Sequence, residues 1–145
     1  MKRTDINKLE PQAYKAMLGL EGYLGTIQIS KSLKHLIKLR ASQINKCAFC
    51  INMHSKEALK DGETDQRIFL LNAWRETELY TTQERAALAM TEEITHISHA
   101  GLTAKTYQEA QEFFNDNEIA QIIMVITTIN AWNRIAVSTQ MELGN

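Results

Sequence analysis

Proline occurs once and glycine six times in 145 residues, too few breakers for a turn-rich β fold, so the composition favours helices. Cysteine is confined to Cys47 and Cys50, which leaves no second cysteine pair to complete a four-ligand zinc knuckle. Excess charge of either sign is missing. The formal net charge is −1, which gives no general attraction for phosphate backbones and leaves nucleic-acid binding without support. No apolar run is long enough to span a bilayer without polar interruption, and Met1 to Asn7 has no signal-peptide core. These absences predict a soluble, cytoplasmic protein with no membrane partner. Hydrophobic residues at 44% and charged residues at 23% fit one globular domain spanning residues 1–145.

What is present centres on Arg40 to Gly62, and within it on Cys47-Ala48-Phe49-Cys50-Ile51-Asn52-Met53-His54. The stretch from Asn45 to Asp61 holds no proline or glycine and reads as a helix, with Asn45 as its N-terminal cap. On a helix Cys50 and His54 lie one above the other, and Cys47 sits one turn earlier on the same stripe. Residues three apart have Cα atoms roughly 5 Å apart, within the span of a disulfide, so a bridge is feasible with the helix intact. Cys47, in the first turn, would meet unpaired backbone N–H groups that favour thiolate, while His54 is placed to take a proton from Cys50. A thiolate oxidised by peroxide to sulfenic acid is captured by a neighbouring thiol as a disulfide. In a reducing compartment such a pair is redox-active or metal-binding more often than a staple. Two other readings of the residues stand beside the redox one: three zinc ligands, or two buried cysteines acting as small hydrophobes.

The run Leu39 to Asn45, Cys47-Ala48-Phe49-Cys50, Asn52-Met53-His54, Gly62-Glu63-Thr64, Trp74-Arg75-Glu76 and Asn130-Ala131-Trp132-Asn133-Arg134 together resemble the alkylhydroperoxidase D branch of the carboxymuconolactone decarboxylase family. The resemblance covers nearly the whole chain. It implies an all-α helical bundle, oligomeric as dimers, trimers or hexamers, and a thiol-dependent peroxidase acting on hydrogen peroxide or organic hydroperoxides. By the same resemblance Cys50 is attacked by peroxide, Cys47 resolves it and exchanges with an external dithiol or thiol reductant, and His54 serves a proton relay. No metal, haem or flavin cofactor is implied. The helix dipole favours Cys47 as the more acidic thiol, so the residues and the resemblance do not coincide on that point.

One position departs from the pattern. The family's peroxidases carry a glutamate twelve residues before the first cysteine, and 47 − 12 = 35, where this chain has His35. Imidazole accepts a proton but supplies no fixed negative charge. His35 is therefore expected either to stand in for the carboxylate or to be a polar filler of its helix face. Because twelve residues of helix span about 18 Å, a turn through Ser42 to Asn45 has to bring it back toward the thiols. Three rivals to the peroxidase follow: a thiol-disulfide oxidoreductase or redox sensor, a lactone decarboxylase of the same superfamily, and a non-catalytic metal-binding protein.

Elsewhere the pattern predicts a helix from Pro11 toward Gly25 and a second opened by Ser30 or Ser32. The second would turn Leu33, Leu36, Ile37 and Leu39 inward and Lys31, Lys34, Lys38 and Arg40 out. Thr64 is expected to cap a helix carrying Ile68 through Trp74, and Thr81 with Glu84 forms a capping box ahead of the next. That helix ends near His96 and His99, readable as metal ligands or as cations at a helix C-terminus. Thr103 opens a short helix, and Asn115-Asp116-Asn117 turns into a last one over Ile119 to Leu143.

Overall fold

A computed structural model describes residues 1–144, so the last residue of the expected domain lies outside the described residues. Every regular element among them is helical. In chain order these are α1 (Ile6–Leu9), α2 (Pro11–Leu24), α3 (Lys31–Ile44), α4 (Ala48–Lys60) and α5 (Asp65–Phe69), followed by a 3₁₀ segment (Leu71–Glu76). Then come α6 (Thr82–Thr95), α7 (Ile97–Ala100), α8 (Ala104–Gln111) and α9 (Asp116–Thr139). No helix is long and apolar enough to cross a membrane.

Several boundaries follow from the local chemistry named above. Pro11 opens α2, and the Ser30 hydroxyl accepts the Leu33 N–H to cap α3. Thr81 with Glu84, and Asn115 with Glu118, form complete capping boxes for α6 and α9. The β-branched run of α9 remains helical because Ile119, Ile122, Val125, Ile126 and Ile129 make one continuous buried face.

The last helix ends at Thr139, where Gln140 turns left-handed, and not at Leu143, and three further expectations need correction. The helix after Trp74's run is broken: α5 ends at Phe69, which stands 77% exposed, and Leu71 to Trp74 continue as 3₁₀ turns. Leu71 and Trp74 reach the core only through that change of phase. Arg40 does not face out. It is buried, donating to Asn72 Oδ1 at 2.9 Å and reaching Glu92 at 3.5 Å, because α6 and the 3₁₀ segment close over that side of α3. Lys38 is likewise tied down, to Glu21 of α2 at 3.3 Å. The third correction concerns the start of α4 and belongs to the site.

α3 is the element the others share, packing against α4, α6 and α9. Ile37 joins Met90, Ile122 and Ile126 on one side, while Leu36 and Leu39 join Ala58, Leu71, Trp74 and Leu88 on the other. Full burial of each such aliphatic side chain stabilises the fold by about 1.5–3 kcal/mol. α3 is thus packed on both sides, and the turn from it into the first turn of α4 carries Cys47 and Cys50.

Candidate redox site

Helix α4 begins at Ala48, not Asn45, and Cys47 is its N-terminal cap. The cause is the backbone of Lys46, whose φ of 55° is left-handed and breaks the helical path between α3 and α4. Asn45 instead closes α3, and its side-chain N–H groups donate to Asn130 Oδ1 and Asn133 Oδ1, both at 2.9 Å. Asn133, itself buried, donates to Ser42 Oγ at 3.0 Å. The Ser42 carbonyl in turn accepts the Cys47 N–H at 3.0 Å. This ladder of amides and a hydroxyl locks the end of α3, the turn and α9 into one unit.

Cys47 and Cys50 are joined as a disulfide with Cα atoms 5.3 Å apart, as their spacing allows. The Cys47 sulfur accepts the Cys50 N–H at 3.2 Å and so occupies the capping position at the positive end of α4. Both cysteines are buried, at 1% and 2% exposure, in a small cluster with Ala136, Phe49 and Met141. Met141 arrives there because Gln140 takes a left-handed φ of 50° at the end of α9, and the Met141 N–H returns to the Ala136 carbonyl at 3.0 Å. Met141 also walls a cavity of about 420 Å³ between the N-terminal arm, with Arg3, Asp5 and Tyr14, and the end of α9. An open cleft of about 470 Å³ flanks the first turn of α4, lined by Gln43, Lys46, Ala48, Ile51 and Asn72.

One turn beyond Cys50 on the same stripe, His54 is buried, and its Nδ1 meets Glu57 Oε2 at 3.0 Å. The hydrogen bond from His54 holds the Glu57 carboxyl below its ordinary range against the opposing effect of burial. Glu57 was not among the residues picked out from the sequence. Its i, i+3 spacing from His54 was the available signal, since such pairs share a helix face.

The turn does bring His35 back against α4, but at that helix's C-terminal end. His35 Nε2 lies 2.7 Å from Asp61 Oδ2, and this bond holds the Asp61 carboxyl below its ordinary range. Asp61 is eleven residues past Cys50, about 16 Å along the helix axis. Four expected site residues therefore fall into two groups: Cys47, Cys50 and His54 at the N-terminal half of α4, and His35 with Asp61 at its far end. The exposed His96, which caps the end of α6, and His99 of α7 stack with ring centroids 5.3 Å apart. Among the described residues no three His, Cys, Asp or Glu side chains converge as metal ligands would.

Residues 11–93 match the carboxymuconolactone decarboxylase family. The Bacillus subtilis protein YdfG is 37% identical over 137 residues, covering 94% of this chain and 93% of that one. The crystal structure of an Agrobacterium tumefaciens protein of unknown function, provisionally named as the antioxidant defence protein AhpD, superposes with a TM-score of 0.96. It is 41% identical and covers 100% of this chain and 99% of that one. The debrominase Bmp8 shares the fold at 21% identity and a TM-score of 0.82, over 92% of this chain and 72% of its own. With the helical bundle, the two-cysteine helix start and these relatives in agreement, the chain belongs to the carboxymuconolactone decarboxylase family, in its AhpD-like branch.

Proposed function

We propose that the protein is a thiol-dependent peroxidase that reduces hydrogen peroxide or organic hydroperoxides. One observation carries the reading: two bonded sulfurs at the start of α4, with a buried imidazole one turn further along their stripe. In the reduced protein the Cys50 thiol gives its proton to His54. The thiolate attacks the distal peroxide oxygen, forming an S–O bond as the O–O bond breaks, and the leaving alkoxide or hydroxide takes the proton. Cys47 then displaces water from the sulfenic acid, forming the Cys47–Cys50 disulfide. An external dithiol or thiol returns two electrons and two protons to complete the cycle.

The relatives' names support an antioxidant setting, and the need for constant re-reduction suits a cytoplasmic reductant pool. Assembly with further copies of the chain belongs to this reading, and nucleic acid does not. His35 is given no step in this cycle: its Nε2 is held by Asp61, and its buried Nδ1 has no partner among the described residues.

Single-turnover oxidation tests the proposal. Fully reduced protein is mixed with one equivalent of hydroperoxide, peroxide loss is followed, and the bridge is mapped by mass spectrometry. Fast loss with a Cys47–Cys50 bridge, abolished in Cys50→Ser, is the expected result. Loss at the rate of a simple free thiol would overturn it and leave thiol-disulfide exchange, which the same bridge serves, as the activity to pursue.

A further inference from the structure

We infer that Glu57 is the positioning carboxylate of the redox site, holding His54 so that its Nε2 faces the thiol chemistry, in a role that His35 cannot fill. The inference rests on the thiol reading above and adds a residue to it. Three observations carry it. Glu57 Oε2 is 3.0 Å from His54 Nδ1, the one hydrogen-bond partner of that ring among the described residues. Cys50, His54 and Glu57 lie at i, i+4 and i+7 along one stripe of α4, so the three groups follow one another along the helix. His35, at the position where a carboxylate is expected, is an imidazole already bonded to Asp61.

The chemistry follows from what each group can donate. Glu57 is ionised at neutral pH, its acidity strengthened by the bond from His54, and an ionised carboxylate only accepts hydrogen bonds. Nδ1 of His54 must therefore carry the hydrogen, which leaves Nε2 of the neutral ring as the free acceptor. When Cys50 loses its proton to Nε2, the imidazolium so formed lies beside a fixed negative charge. His54 has a 6% exposed side chain while that of Glu57 is 50% exposed, so the pair also links the buried ring to solvent. The other charges acting on Glu57 are Lys38 and His35 of α3, and Lys38 is shared with Glu21 of α2. From α9, the other helix packed on α4, no charged group shifts it.

The test uses the reduced Cys47→Ser protein, in which Cys50 is the single thiol, and measures its alkylation by iodoacetamide across pH. Glu57→Gln is expected to move the midpoint of the alkylation profile up by about one pH unit, a tenfold change in thiolate at neutral pH. Glu57→Asp should restore the parent profile, and Asp61→Asn should leave it in place. A Glu57→Gln profile matching the parent, or no rescue by Glu57→Asp, would overturn the inference. Nitrogen-15 shifts of His54 in the unmutated protein give a second reading that depends on no variant. The Nδ1–H form is expected, and an Nε2–H form would overturn the assignment. Neither measurement uses peroxide, so slow peroxide loss in the unmutated protein refutes the peroxidase while leaving Glu57 to be judged on its own.

Discussion

Asn133 on α9 and Asn45 at the end of α3 are 88 residues apart and share a 2.9 Å hydrogen bond, Nδ2 of Asn45 donating to Oδ1 of Asn133. That bond sits one step from the turn that presents Cys47. Since Asn133 is buried and also donates to Ser42, its removal strands two polar partners at once. Asn133→Leu is expected to destabilise the fold by about 1–3 kcal/mol, read from urea unfolding. Asn133→Asp, which keeps the acceptor for Asn45, should lose less if the Asn45 bond dominates. Equal losses would assign the effect to Ser42.

Lys46 holds a left-handed φ of 55° while exposed to solvent, so its side chain has little packing to offset the backbone cost. Glycine carries no Cβ penalty there. Lys46→Gly is predicted to raise the unfolding free energy by about 0.5–1 kcal/mol, with Lys46→Ala close to the parent. A lower denaturation midpoint for the glycine variant would show that the lysine side chain contributes something the turn needs.

Met141 and Phe49 cover a disulfide that is 1–2% exposed. A reductant has to displace that cover before its thiolate can reach a sulfur. Met141→Ala should therefore speed reduction of the bridge by dithiothreitol several-fold, followed as free thiol against time. An unchanged rate would place the approach on the opposite side, through the cleft beside Lys46 and Ile51.

Two carboxylates of α4 are held below their ordinary range by imidazole donors, Glu57 by His54 and Asp61 by His35. A folded-state value below the unfolded one means that the unfolded chain binds protons more readily in acid. The stabilisation is complete above the unfolded carboxylate range, above about pH 5, and fades as pH falls through the depressed folded values. Glu57→Gln and Asp61→Asn should each flatten the acid limb of a stability–pH curve, modestly because both carboxylates are substantially exposed. A steeper limb in either variant would refute the assignment.

Much of this molecule could be read along the chain because the deciding interactions are local. Capping signals close within three residues, so the Thr81–Glu84 box and the Asn115-Asp116-Asn117 turn marked helix starts that the fold retains, the second with a box to Glu118 that the structure adds. The 3.6-residue period put Cys50 and His54 on one stripe and buried the inner face of α3. Glu57 was equally local, three residues from His54, and went unread because acidic residues on helix surfaces usually face only water. Other features were beyond any local rule. Asn45 looks like a cap in sequence, yet it became a tie to α9, since a left-handed Lys46 moved the helix start and partners 85 and 88 residues away stood within reach. Arg40 is buried because α6 and the 3₁₀ segment bring Glu92 and Asn72 to meet its charge. Where along α4 His35 makes its contact depended on how α3 and α4 cross, and Met141 packs on the disulfide only because α9 ends beside it. Local spacing thus set which residues share a face. Which faces meet, and so which polar group finds which partner, was settled by packing between helices far apart in the chain.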